Sequence, residues 1–358
     1  MSNSPILFRR LFHTVSIQDK INFARHLSIV IKAGLPILEG LKMIRKQTSS
    51  RYLASIIDKI STDVSNGQFL ANSLANFSDV FDKFFVNIVR VGETSGTLAT
   101  NLSYLSDELK KSNDLKNKIR SAMIYPIIVM MATVALTSFL VFFAFPKILP
   151  IFTGLHVQLP ITTRILIATS EFLIANGVYL IVGIIIFFIG IKLLFLVRPV
   201  HYLFDRLLLF LPVFSPLIVD VNMANFTRIL AVLLRGGIKI VEAVNITADT
   251  FGNLVYQSSL NKAASEIKKG EQLAQYLSVH KAIFPMLLSG LIEIGENTGN
   301  LEDNLSYLAD YYREEAELKI QNLTALIEPL LLLLMGLIVG FVAVSIITPI
   351  YTITQGVS

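Results

Sequence analysis

The chain has 358 residues, 53% hydrophobic and only 16% charged, with a mean hydropathy of +0.62 and a formal charge of +5. Ordinary soluble domains carry about a quarter charged residues, so a purely soluble globule is excluded and a membrane-embedded chain is expected. Cysteine is absent, which removes disulfides, thiolate metal sites and thiol nucleophiles.

Residues 1–16 read as a short N-terminal segment. Arg9 and Arg10 are not followed by an apolar run of signal-peptide length, so the first polar region is expected to stay in the cytoplasm. A helical module follows over residues 17–125. Ser16 and Asp19 resemble a capping box, and Ile17, Ile21, Ala24, Leu27 and Ile31 recur at helical spacing. Gly34 suits a helix stop and Pro36 the first turn of the next helix, which carries Ile37, Leu41 and Ile44 on one face. A third helix is predicted from Arg51 to a stop at Gly67, a fourth over Leu70–Phe77 and a fifth over Phe84–Val91. After Gly92–Gly96, a long sixth helix from near Thr97 is expected to continue into an apolar stretch. No stretch alternates with period two for long enough to argue for a sheet.

Three stretches have the length and apolarity of membrane spans. They are 126–145, 172–191 and 330–349, separated by an extracytoplasmic loop over 146–171 and followed by a tail over 350–358. Leu207–Val219 is apolar but short, and Pro212, Ser215 and Pro216 interrupt it. Residues 192–219 therefore read as a juxtamembrane segment, interfacial or packed on a second module over 220–329. Lys116, Lys118 and Arg120 precede the first span, and Lys192, Arg198 and Arg206 follow the second. Positive-inside bias then puts both modules in the cytoplasm and the C-terminus outside.

The second module repeats the first at a constant offset of 203 residues. Arg25 maps to Arg228, Gly34 to Gly237, Gly67 to Gly270, Phe81 to Phe284 and Pro126 to Pro329. The sharpest match pairs Gly92–Leu105 with Gly295–Leu308, identical at nine of fourteen positions. The fold class is therefore all-α: a polytopic membrane protein with two homologous cytoplasmic bundles of about six helices each and three transmembrane helices. The copies differ in charge. Residues 1–125 hold 17 basic and 10 acidic groups, net +7, while residues 192–329 hold 12 and 15, net −3.

Candidate functional residues concentrate in the duplicated loop: Gly92, Glu93 and Gly96, with Gly295, Glu296 and Gly299. Glycines around polar residues before a helix suit an anion at the helix N-terminus, but the lysine of a P-loop is missing. The better reading is a turn, with Ser95 and Thr298 as caps of the long helices and the glutamates as contacts to a partner or to the other module. Glu328, just before Pro329, stands at the mouth of the last span, either reaching headgroup water or pairing with a basic residue. The run Asp310–Glu317 reads as a solvated helix face or a docking surface for a basic partner. The five histidines lack ligand spacing, and no catalytic residue, metal site or cofactor is expected. An oligomeric transporter or channel subunit is the alternative, but the spans carry no internal charges.

Together these features resemble the type II secretion F family, the inner-membrane platform proteins of type II secretion systems and type IV pili. The resemblance rests on both Phe-x-Arg-x-Leu helices (Phe23, Arg25, Leu27; Phe226, Arg228, Leu230) and the turns Ala33-Gly34 and Gly236-Gly237. It also rests on both Gly-Glu-x-Ser/Thr-Gly-x-Leu signatures, Leu211-Pro212 and Glu328-Pro329. It implies a non-enzymatic protein that docks a cytoplasmic hexameric ATPase and passes its movements to pilin or pseudopilin subunits alongside other inner-membrane assembly components. It also implies a homo-oligomer, with a dimer favoured, and no nucleic-acid partner. Many members carry a longer segment before the first module than the roughly fifteen residues here.

Overall fold

The computed structural model describes residues 15–144 and 160–356. Most of the expected N-terminal segment, the last residue of the expected first span, residues 146–159 of the expected loop and the last two residues of the tail lie outside the described residues. Among the described residues every regular element is helical.

The first repeat contains α1 (Ile17–Lys32), α2 (Ile37–Gln47), α3 (Arg51–Ser65), α4 (Leu70–Ala75), α5 (Lys83–Ser95) and α6 (Leu98–Phe139). A π-helical turn, Leu140–Ala144, ends α6. Then come α7 (Ile161–Leu194) and α8 (Arg198–Phe210). The second repeat contains α9 (Ser215–Arg235), α10 (Ile240–Thr250), α11 (Leu254–Lys268), α12 (Leu273–Val279), α13 (Met286–Thr298) and α14 (Leu301–Gly356).

Local chemistry explains these boundaries. The Ser16 hydroxyl accepts from the Asp19 N–H at 3.1 Å and the Asp19 carboxylate accepts from the Ser16 N–H at 3.2 Å, a complete capping box. Ser50, Asp82 and Asn253 accept from the first-turn N–H groups of α3, α5 and α11. The stops are left-handed glycines at three equivalent pairs: Gly34 and Gly237, Gly67 and Gly270, Gly96 and Gly299. A side chain at such φ is strained, so the duplication repeats each stop along with each helix. α2, α3, α5 and α6 begin at positions whose counterparts, 203 residues on, begin α10, α11, α13 and α14.

By internal contacts the chain forms two compact units, Met1–Asn117 with Tyr202–Glu317, and Lys118–His201 with Leu318–Ser358. The first unit holds both helical modules around one connected core, so the two bundles do not have separate interiors. Phe23, Phe81 and Phe85 cluster at centroid distances of 4.8–6.2 Å in one copy. Phe226, Tyr256 and Phe284 do so in the other, at 5.8 and 6.3 Å. The copies meet where α5 packs on α9 and α10. Segment 192–219 is largely helical, with Leu209 and Val219 packed against this core. Asp205 of α8 accepts from the Leu254 N–H at 2.7 Å at the start of α11.

The second unit contains the apolar part of α6, all of α7 up to Leu194 and the end of α14. α6 with its π turn and α14 are long and apolar enough to cross a membrane, and α7 carries the uncharged stretch 172–191. α9 is also long and apolar enough, but Phe226, Leu230 and Leu233 are buried in the first unit's core, so its apolarity has another cause. Residues 161–171, expected in a loop, form the first turns of α7. Within this unit Val141 and Leu166 pack together. Ser170 Oγ donates to the Val141 carbonyl at 3.1 Å, and Thr163 Oγ1 donates to the Ser345 carbonyl at 2.8 Å. Small hydroxyl residues joining helices through backbone carbonyls suit an apolar surround. Pro126 and Pro329 lie inside α6 and α14 rather than at helix starts; each removes one helical N–H donor, four residues beyond Ala122 and Ala325.

Candidate functional site

The duplicated signature is built as a pair of matching joints. Glu93 lies in α5, and its two carboxylate oxygens accept from the N–H groups of Leu70 and Ala71 at 2.7 and 3.0 Å. Those groups open α4, whose N-cap, Phe69, makes no side-chain capping bond. Glu296 repeats the arrangement on Leu273 and Ala274 at 2.9 and 3.0 Å, where the N-cap Gln272 is likewise not a side-chain cap. A carboxylate satisfies two orphan donors and complements the helix dipole. Each glutamate thus contacts its own module, about 23 residues away.

Gly92 and Gly295 lie inside α5 and α13, not in turns. A Cβ on Gly92 would come within 2.8 Å of the Leu98 Cα, and one on Gly295 within 2.7 Å of the Leu301 Cα. These glycines let the fifth helix of each repeat press against the start of the long helix. Asn304 Nδ2 donates to the Leu291 carbonyl at 2.9 Å, and Asn101 Nδ2 makes the equivalent but longer contact to Ile88 at 3.5 Å. Gly96 and Gly299 adopt φ of 74° and 77° and close α5 and α13. Ser95 and Thr298 do not cap the long helices as expected. They are the last residues of the preceding helices and donate to the carbonyls of Val91 and Ile294, both at 2.7 Å. Continuation of α5 and α13 for another turn shifts both hydroxyls inside. Glu328 is exposed on α14.

A second site lies between the repeats, in a cleft of about 510 Å³ lined by Tyr104, Glu108 and Lys111 of α6, Arg228 and Arg235 of α9, and Asp310 of α14. Arg228 Nε stands 3.0 Å from Glu108 Oε2, with side chains only 3% and 14% exposed. Among the described residues, the three guanidinium nitrogens have no hydrogen-bond partner in good alignment, so the pair is close without being well satisfied. Burial pushes the Glu108 carboxyl up to about 7, against the opposing pull of Arg228 and Lys111. The same burial lowers Arg228, partly offset by Glu108. Lys111 pairs with Asp310 at 3.2 Å, Lys83 of α5 with Asp249 of α10 at 2.7 Å, and the Arg235 guanidinium lies 5.4 Å from the Tyr104 ring centre. With the Arg228–Glu108 pair, these make four side-chain pairs that bridge the copies among the described residues.

Sequence reasoning noted Arg25 and Arg228 as equivalents but missed their different fates. Arg25 pairs loosely with Asp107 at 3.7 Å on the surface. The usable signal was the position after Asp107: Glu108 aligns with Tyr311, so this acid belongs to one copy only.

The profile of the type II secretion system protein F family matches residues 23–146 and again 226–349. The two matched ranges stand at the same offset as the helices and the glycine stops. The chain belongs to the type II secretion F family. Among its relatives is the type IV pilus assembly protein PilC of Thermus thermophilus, 37% identical over 94% of this chain and 83% of that protein. The type II secretion system protein F of Aeromonas hydrophila is 31% identical over 100% of this chain and 91% of its own length. PilC of Pseudomonas aeruginosa is 30% identical over 94% and 90%. Among the described residues no cluster of three His, Asp or Glu side chains is arranged to hold a metal ion.

Proposed function

We propose that this chain is an inner-membrane platform protein of a type IV pilus or type II secretion machine. In this reading it couples a cytoplasmic hexameric assembly ATPase to the insertion of pilin or pseudopilin subunits into a filament. The family match across both halves carries the reading, together with relatives named for pilus assembly and for type II secretion along almost the whole chain. Two features of the helices support it. α6 and α14 each run unbroken from the buried residues Leu102 and Leu305 to an apolar, span-length stretch. No loop separates the polar stretch of either helix from its apolar stretch. Lysine and arginine flank the module-side ends of the first two spans, and positive-inside bias supports a reading with both modules on the cytoplasmic side, where the ATPase acts, and the C-terminus outside.

Deleting the gene is expected to abolish filament assembly or secretion, with rescue by the full chain, and the detergent-solubilised chain is expected to retain the cognate ATPase. Normal filaments and secretion in a deletion strain without a second such gene would overturn the reading. A reporter fused after Ser358 is expected to signal the outer face; a cytoplasmic signal would overturn the topology.

A further inference from the structure

The two repeats bury different faces, and the difference follows one rule. Inside the chain, α5 of the first repeat packs on α9 and α10 of the second. The first repeat has its own copy of the receiving face, on α1 and α2. The second has its own copy of the inserting face, on α13. Both copies are open. On the receiving side Val232 is 8% exposed, whereas its counterpart Ile29 is 57% exposed. Ile238 and Ile246 are buried, whereas their counterparts Leu35 and Met43 are exposed. On the inserting side Phe84 is 5% exposed, whereas its counterpart Leu287 is 43% exposed. Met286 and Ile294, on the same helix, are exposed as well. The chain therefore displays both halves of a contact it already makes once internally, and both halves have kept apolar side chains.

We propose that α13 of one copy docks on α1 and α2 of the next copy, repeating between chains the junction that joins the repeats within one. The occupant is a second copy of this chain because its face is the equivalent of the one already seated on α9 and α10. Charge favours the same pairing, since the receiving repeat carries net +7 and the inserting repeat net −3. Tyr307 would meet Lys32 as Tyr104 meets Arg235, restoring the ring–cation contact. None of the three ion pairs is restored, and the buried Glu108–Arg228 pair becomes Tyr311 opposite Arg25. Lys83 and Asp249 become Met286 and Lys46, while Lys111 and Asp310 become Glu314 opposite Asp107. The contact between copies is thus weaker than the internal one and rests on its apolar centre. It is heterologous, so each copy keeps one free face of each kind until the series closes. Copies anchored in one bilayer are related by rotation about its normal together with translation in its plane, and the series closes into a ring where that rotation divides a full turn.

This deepens the oligomer expected of a platform protein, and cross-linking tests it apart from filament assembly. The chain has no cysteine, so Lys46→Cys and Met286→Cys place single thiols where the counterparts of Asp249 and Lys83 stand. Differently tagged single variants are co-expressed and treated in membranes with a short bis-maleimide. A Lys46→Cys chain is expected to join a Met286→Cys chain, neither to join itself, and the double variant to give a ladder. The Lys83→Cys/Asp249→Cys variant, cross-linked within one chain, reports that the fold and the reagent are sound. With that control positive, absence of the mixed product, or self-joining of either single variant as in a two-fold dimer, overturns the proposal. Adding Leu287→Asp to the Met286→Cys chain is expected to cut the mixed product about ten-fold and leave the internal control intact; an undiminished product would remove the apolar face from the contact. Absent cross-links with normal filaments count against this contact alone, and a ladder with no filaments in an otherwise complete strain counts against the platform reading alone.

Discussion

The two repeats are wired alike inside and differently at their edges. Glu93 and Glu296 grip the same two backbone positions, Gly92 and Gly295 make the same close approach, and the three left-handed glycine pairs fall at the same places. Their equivalent arginines diverge. Arg25 stays on the surface beside Asp107, while Arg228 is buried against Glu108 of the other copy. Duplication preserves what a module needs to fold, whereas the meeting of two modules gives each face a new neighbour. The first repeat supplied an acid where the second has Tyr311, and that one difference makes the interface between copies ionic at its centre.

The largest break in this comparison should come from the arginines. Above about pH 7, Arg228→Ala removes the opposing charge from a carboxyl that burial already pushes up and is expected to cost about 3 kcal/mol, whereas Arg25→Ala is expected to cost less than about 1 kcal/mol. Circular-dichroism melting suits this test because the chain has no tryptophan; equal shifts for the two variants would erase the distinction. Acidity probes the same pair. The Glu108 carboxyl is raised to about 7 by burial, above its unfolded value, so the folded state favours its protonated form. Its stabilising effect is complete below about pH 4.5 and is lost as pH rises through about 7. Over that window wild type should lose up to about 3 kcal/mol relative to Glu108→Gln, so a pH-independent difference between them would refute the burial argument.

The shared wiring is tested by substitutions that should hurt both copies alike. Gly92→Ala and Gly295→Ala each drive a Cβ into backbone and are expected to destabilise by about 2 kcal/mol. A neutral result in either copy would mean that its long helix can move aside. Glu93→Ala and Glu296→Ala each free two helix-opening N–H groups, with an expected loss of about 1–2 kcal/mol. If either variant melted normally yet lost a binding partner, that glutamate would be a contact residue rather than a cap.

Much of the fold was legible because the signals are local. Ser16 with Asp19 marked the start of α1, Gly34 and Gly67 marked stops, and the uncharged runs marked helices too apolar for a soluble shell. The two misreadings have separate local causes. Ser95 and Thr298 were read as caps because a hydroxyl beside a glycine fits either the end of one helix or the start of the next. Residues 161–171 were read as loop because Arg164 and Glu171 break the apolarity without breaking the helix. In the candidate site, the importance of Gly92 and Glu93 was visible from their repetition, but their partners were not, because Leu70 and Leu98 are brought to them by packing.

By itself the amino-acid sequence determined the duplication, the helical class, the membrane-length stretches and the family. Each follows from periodicity, from glycine's freedom at positive φ, or from hydrophobicity, and all three act over a few residues. Only the tertiary structure decided which copy buries its arginine, that Glu108 is its partner 120 residues away, and which apolar faces remain open. An offset of 203 residues pairs each position with its like. An interface between repeats pairs unlike surfaces, and that choice is made by packing.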